Sequence, residues 1–238
     1  MTKSQRVFST LPIIALALIL AAVPSSAAAI TWATWTSGTA SATAGSATGS
    51  LTGLGVGLSY TGEMESLIDI AWLPTSSFTG GTVGNAPPTG ANDSIQLFGG
   101  GTVVDTITFS TPVTNPILAI WSLGQPPSFF AQFLFTASEP FTIEGGGPNA
   151  NFGGASIFAG GSCPANAVCG AEGNGVVQFN GTFSQLTWTN PVREVYYTFT
   201  VGATGAASAV PEPASFFLMG SGLLGVGAIR LRKFAQKR

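Results

Sequence analysis

Apolar and polar residues alternate with a period of two along most of the chain between Ile30 and Val201. In LGVGLSYTG, Leu54, Val56, Leu58 and Tyr60 share one side of an extended segment, and in SLIDIAW, Ile68, Ile70 and Trp72 do. TVVDTITF sets Val103, Ile107 and Phe109 on one face with Asp105 among them. PILAIWSL is apolar on both sides, as a central strand covered on both faces would be. FFAQFLFT, FTIE, GVVQF, TFSQLTWT and REVYYTFTV continue the pattern, and GGTVGNAPPTGAND, TPVTNP, GQPP and EGGGPNANFGG interrupt it with turn residues. About nine or ten short strands joined by turns predict an all-β fold, an antiparallel β-sandwich of jelly-roll type. A β-helix would need a short repeat of fixed period, and none is visible.

Both ends break the alternation. Residues 1–29 have a short basic start, an apolar run from Leu11 to Val23, and small residues at Ala27 and Ala29. That is the layout of a secretory signal peptide cut after Ala29, with the Sec translocon and signal peptidase as partners and a mature chain starting at Ile30. At the other end GATGAASA, residues 202–209, reads as a flexible linker. Ala214 to Ile229 carries no charge and is expected to form a single transmembrane helix. At ~1.5 Å per residue it spans ~24 Å of a ~30 Å hydrocarbon core, and Arg230 and Arg232 can snorkel across the difference. Arg230, Arg232, Lys233, Lys237 and Arg238 form a basic stop-transfer cluster that puts the C-terminus in the cytoplasm and the body outside.

Pro211-Glu212-Pro213, a Gly-rich apolar span and an Arg-rich end, in that order over the last 29 residues, resemble the PEP-CTERM sorting signal of Gram-negative bacteria, also labelled the ice-binding protein C-terminal domain. The resemblance implies that exosortase, a membrane Cys protease-transpeptidase, recognises Val210, Pro211, Glu212 and Pro213. It also implies an inner-membrane-anchored precursor whose cut product passes to the cell surface or extracellular matrix. TITFSTPVTNPILAIWSLG and GTFSQLTWTNPVREVYYTFTVG resemble a recurring group of PEP-CTERM proteins, which implies a single domain over residues 30–201.

Charge narrows the function. Between Ile30 and Ala209 the chain has one cation, Arg193, against nine carboxylates, a formal charge of −8. Such a body cannot neutralise a phosphate backbone, which excludes nucleic acid as a partner. Histidine is absent from the whole chain, so the commonest general base, the usual zinc ligand and every Ser-His or Cys-His pair are missing. No catalytic residue is assigned, and the body is expected not to be an enzyme.

The remaining chemistry is sparse. Cys163 and Cys169 frame CPANAVC, and in an exported chain with two cysteines they are expected to form a disulfide. Glu63 and Glu65, two apart, are candidate ligands for calcium together with Asp69, Asn92 or Asp93, but an exposed acidic edge that discourages strand-to-strand association explains the same residues with less and is the preferred reading. No other cofactor is implied and the metal stays open. Trp72, Trp121 and Trp188 fall in apolar strand patterns and are expected in the core, whereas Trp32 and Trp35, in ITWATWTSGT, are the candidates for exposed aromatics that stack on sugar rings. Arg193 is expected to pair with its neighbour Glu194.

The leading functional reading is an exported surface or matrix protein associated with exopolysaccharide in biofilm. The alternative is a lectin-like carbohydrate-binding module, calcium-dependent in one version. A glycosidase using two of the nine carboxylates ranks below both, since nothing in the sequence selects a pair. Ice binding, suggested by the Thr content, ranks last because no regular Thr ladder runs along the sequence.

Overall fold

A computed structural model describes residues 27–125, 130–194 and 196–206. Residues 1–26 of the expected signal peptide, the Val210–Pro213 motif, the expected membrane span and the basic cluster lie outside the described residues. Among the described residues no helix is long and apolar enough to cross a membrane.

The described residues form fifteen strands: β1 Thr31–Trp32, β2 Thr34–Thr39, β3 Ser41–Leu51, β4 Val56–Met64, β5 Ser66–Ile68, β6 Ser94–Leu97, β7 Asp105–Thr114, β8 Ile117–Leu123, β9 Ala131–Phe135, β10 Phe141–Pro148, β11 Ala167–Gly170, β12 Gly173–Phe179, β13 Thr182–Thr189, β14 Tyr197–Ala203 and β15 Gly205–Ala206. They form two antiparallel sheets. One runs β10-β12-β8-β14-β6-β5 with β1 beside β14; the other runs β11-β9-β13-β7-β4-β3-β2 with β15 beside β7. From β7 onward successive strands alternate between the sheets, so each connection crosses the core, as in a jelly-roll winding. The β2-β3-β4 segment instead folds as a meander within one sheet.

The alternation explains where the core sits. Val56, Leu58 and Tyr60 of β4, Ile107 and Phe109 of β7, and Leu186 and Trp188 of β13 turn into the space between the sheets. There they meet Leu118 and Ile120 of β8 and Phe199 and Val201 of β14. The other side chains of β8, Ile117, Ala119 and Trp121, enter a second cluster with Trp32, Ile70, Trp72 and Phe78 on the outer side of that sheet. This is why PILAIWSL is apolar on both faces: β8 is hydrogen-bonded to β12 and β14 and is covered above and below.

Several expectations change at the edges. The segment from Thr34 to Leu51 is a long hairpin that the alternation does not reveal, because its inward positions include Gly45 and Ala47. Residues 202–206, expected to open a linker, continue β14 and form β15. Ala28, expected to leave with the signal peptide, is tied to the body: its N–H donates to the Thr82 carbonyl and its carbonyl accepts from Gly84, both at 2.8 Å.

Candidate functional site

The end of β8 is bent away from regular strand geometry. Ser122 has φ 58° and Gly124 φ 81°, so the chain turns sharply after Trp121. The Ser122 N–H donates to Asn174 Oδ1 at 2.9 Å, and the Ser122 hydroxyl donates to the Glu172 carboxylate. Gly124 then holds a second acid: its N–H donates to Glu194 Oε2 at 2.6 Å, while its carbonyl accepts from the Glu172 N–H at 2.9 Å. Glu172 (φ 57°) and Tyr196 (φ 114°) also have backbones that L-residues seldom adopt. Three of the six non-glycine residues with positive φ among those described therefore line one place, and strain of this kind concentrates at functional sites.

That place is a cleft of about 400 Å³ walled by Ser122, Gln125, Phe152, Glu172, Glu194 and Tyr196. A smaller hollow of about 140 Å³ shares Phe152 and Tyr196 and adds Asp69, Trp121 and Asn151. The aromatic rings form an edge-to-face triad, with centroids 5.8 Å apart for Trp121–Phe152, 5.6 Å for Trp121–Tyr196 and 6.4 Å for Phe152–Tyr196. Trp121 is buried beneath, while Phe152 and Tyr196 stay 52% and 46% exposed. Phe152 is fixed from behind: Asn149 Oδ1 accepts from the Asn151 and Phe152 N–H groups at 2.8 and 3.3 Å, and Asn174 Nδ2 donates to the carbonyls of Leu73 and Pro148. Large aromatic faces held open to water by such a framework are unusual on a soluble surface.

Both carboxyls are pushed up from their ordinary range. Burial pushes the Glu194 carboxyl up to about 8, with the Gly124 N–H pulling it back and the Glu172 charge adding to the rise. Burial also raises Glu172, and the Ser122 hydroxyl opposes that rise. A carboxyl pushed up to about 8 is largely protonated at pH 7, and in that form Glu194 can donate a hydrogen bond as well as accept one. The cleft combines exposed aromatic faces with a carboxyl pair, a hydroxyl and amides, a set that fits a hydroxyl-rich ring better than an ion.

The C-terminal segment has its own signature. Residues 209–233 match the family model for the PEP-CTERM protein-sorting motif. The chain carries a PEP-CTERM sorting signal. The match takes in Val210 to Pro213, the uncharged span and Arg230, Arg232 and Lys233, leaving Lys237 and Arg238 beyond it. It implies exosortase as the processing partner and a product sorted to the cell surface or the exterior. No curated protein and no solved structure matches the chain.

The residues expected to face a ligand lie elsewhere in the body. Trp32 and Trp35 are 6% and 2% exposed, so neither is the surface aromatic expected of it. Trp32 belongs with Trp72 and Trp121 to the outer cluster and its Nε1 donates to the Asn85 carbonyl at 3.1 Å. Trp35 turns into the main core against Gly49, whose missing side chain leaves it room, and its Nε1 reaches Thr200 Oγ1 at 3.4 Å. Glu63 is buried rather than on an acidic edge; its Oε1 accepts from the Gly99 N–H at 2.9 Å and from the Tyr197 hydroxyl at 3.4 Å, and burial raises its carboxyl. Glu65 is half-buried and accepts from Gln96 Nε2 at 3.0 Å. Asp69 and Asp93 are occupied by the backbone N–H groups of Asn92, Ile70 and Gly90, and no group of three or more metal-ligating side chains occurs among the described residues. Arg193 is exposed while Glu194 turns inward to Gly124, so the expected pair between them gives way to the cleft. Cys163 and Cys169 are joined by a disulfide, with Cα atoms 5.8 Å apart.

Proposed function

We propose that this exported body is a non-catalytic surface or matrix protein that holds extracellular polysaccharide in the cleft beside Trp121. One observation carries the reading: Phe152 and Tyr196 stand half-exposed on a buried tryptophan, next to two carboxyls and an amide. Aromatic faces cover the apolar face of a sugar ring, and acceptors beside them take its hydroxyls. The sorting signal supports the reading, since it implies export to the cell surface or the exterior.

Calorimetry of the exported protein against soluble glycans, including the polysaccharide of the producing cell, tests this. Phe152→Ala and Tyr196→Ala should each weaken binding about fivefold to a hundredfold, since loss of an aromatic anchor costs on the order of 1–3 kcal/mol. Chelators should leave binding unchanged, because the nearby carboxyls are engaged by the protein's own N–H and hydroxyl groups. Unaltered affinity in both variants would sink the reading. Release of new reducing ends would replace it with hydrolysis, making Glu172 and Glu194 the acid–base pair.

A further inference from the structure

We propose that the outer face of the eight-stranded sheet is a docking surface for an extended, uncharged polysaccharide, so that the body bridges two glycan chains. The bridging half rests on the cleft reading above; the surface itself does not.

The pairing register places residues from five strands in line. Ser37, Thr48, Ser59, Thr108 and Gln185 are successive cross-strand partners on β2, β3, β4, β7 and β13. Two residues along, Thr39, Ser46, Thr61, Thr106 and Thr187 form a second row across the same strands. Nine of these ten side chains are hydroxyls and the tenth is an amide. The first row is exposed throughout. With strands ~4.8 Å apart and ~3.4 Å per residue, the rows run ~19 Å across the sheet and lie ~7 Å from each other.

The face also has relief. A shallow depression of about 260 Å³ opens where Gly49 and Gly57 leave the surface beside Ser59, Thr108 and Ser110. Another, of about 440 Å³, opens at the far end beside Gln185 and Thr187. The first row joins one depression to the other. The carboxylate that reaches the array, Glu139, is buried and already bound to the N–H and hydroxyl of Thr187 and the N–H of Thr136.

This chemistry selects the occupant. None of the ten positions is charged, so nothing steers a polyanion or polycation to the face. None is apolar either, so a second copy of the chain would find no hydrophobic centre of the kind that stable dimers bury. What fits is a neutral polymer offering hydroxyl donors and acceptors along a line of similar length. The cleft lies on the other side of the sandwich, since Trp121 belongs to the outer cluster of the opposite sheet, so both sites can be filled together.

The test uses the exported protein and pelleting with microcrystalline cellulose and amylose beads, both uncharged, and with alginate beads, which are anionic. Thr61→Val with Thr108→Val keeps strand propensity and removes two exposed hydroxyls that have no partner among the described residues, and Ser59→Lys puts a charge at the centre of the first row. Wild type should pellet with an uncharged matrix, and both face variants should bind it at least tenfold more weakly while melting within a few degrees of wild type. Phe152→Ala should still pellet but fail to carry a soluble glycan down with the matrix. If it carries the glycan down normally while the face variants fail, the cleft reading falls and the surface stands. The proposal is overturned if wild type ignores the uncharged matrices, if it pellets only with alginate, or if both folded face variants bind as wild type does. It is also overturned if wild type sediments as a dimer that Thr61→Val with Thr108→Val dissociates.

Discussion

Asp105 shows how one residue can be legible in position and opaque in consequence. Its alternation with Ile107 and Phe109 puts a carboxyl on a core-facing strand, and the structure keeps it there, fully buried. Oδ1 accepts from the Tyr60 hydroxyl at 2.7 Å and the Glu63 N–H at 2.8 Å, whereas Oδ2 has no partner among the described residues. Burial pushes the carboxyl up to about 7; the Tyr60 hydroxyl and the Glu63 N–H oppose the shift and the Glu63 charge reinforces it. A folded-state value above the unfolded one means that the folded protein binds the extra proton. Stability is then complete below about pH 4, where both states are protonated, and falls as pH rises toward about 7, with Glu194 extending the loss toward about 8. Asp105→Asn reproduces the neutral acid and keeps Oδ1. It should leave the melting temperature nearly unchanged at about pH 3.5, where Asp105 is neutral in both states, and stabilise the protein increasingly as pH rises, by on the order of 4 kcal/mol at pH 8, flattening the pH profile. Identical slopes for the two proteins between pH 5 and pH 8 would remove Asp105 from this account.

The disulfide is informative at the scale of elements. Cys163–Cys169 closes a short loop and, with Ala167, packs against Leu134 of β9 and Phe158, where β11 forms the edge of its sheet. Replacing both cysteines by serine should cost about 2 kcal/mol, as expected for closure of a loop this short. The cost should be local: hydrogen exchange should rise in β11 and its β9 partners before it rises in β8, and uniform loss across both sheets would contradict that placement. Elements with a plain two-residue alternation, such as β4, β7 and β13, were legible in the sequence because their inward side chains are large, and β8 was legible as a run apolar on both faces. The β2-β3 hairpin was not, because Gly45 and Ala47 give no such signal and Trp35 lies in a run of Thr and Ser. The cleft was hidden for a different reason. Ser122, Glu172 and Tyr196 meet through positive-φ turns at the ends of three strands, and only the isolated Phe152 in a Gly/Asn loop hinted at an exposed ring. Nor could the hydroxyl rows be found as a ladder along the chain, because they run across strands set side by side by pairing.

On the scale of the whole molecule, the two ends of the body meet. β1 pairs with the last residues of β14, Thr31 with Ala203 and Trp32 with Gly202, so the chain enters and leaves the sandwich at one place. Tyr196, at the other end of β14, lines the cleft, about 20 Å away at ~3.3 Å per residue. A precursor held through the PEP-CTERM signal therefore presents its cleft at the end of β14 remote from the tether. The start of the body sets a finer condition. Cutting after Ala29 removes the Ala28 bonds to Thr82 and Gly84 but leaves the Ile30 nitrogen on Asn85 Oδ1 at 2.6 Å, which can anchor the new amino terminus. Intact-mass spectrometry of the exported protein should accordingly find a chain that begins at Ile30 and ends within or just before Val210–Pro213. With the basic tail gone it should carry the strongly acidic charge of the body instead of the net −2 of the full chain. A mass that still includes Arg238 would mean that the C-terminal segment anchors the protein and is not exchanged by exosortase. A mass beginning at Ala27 or Ala28 would mean that the pairing with Val83 directs the signal-peptidase cut upstream of Ala29.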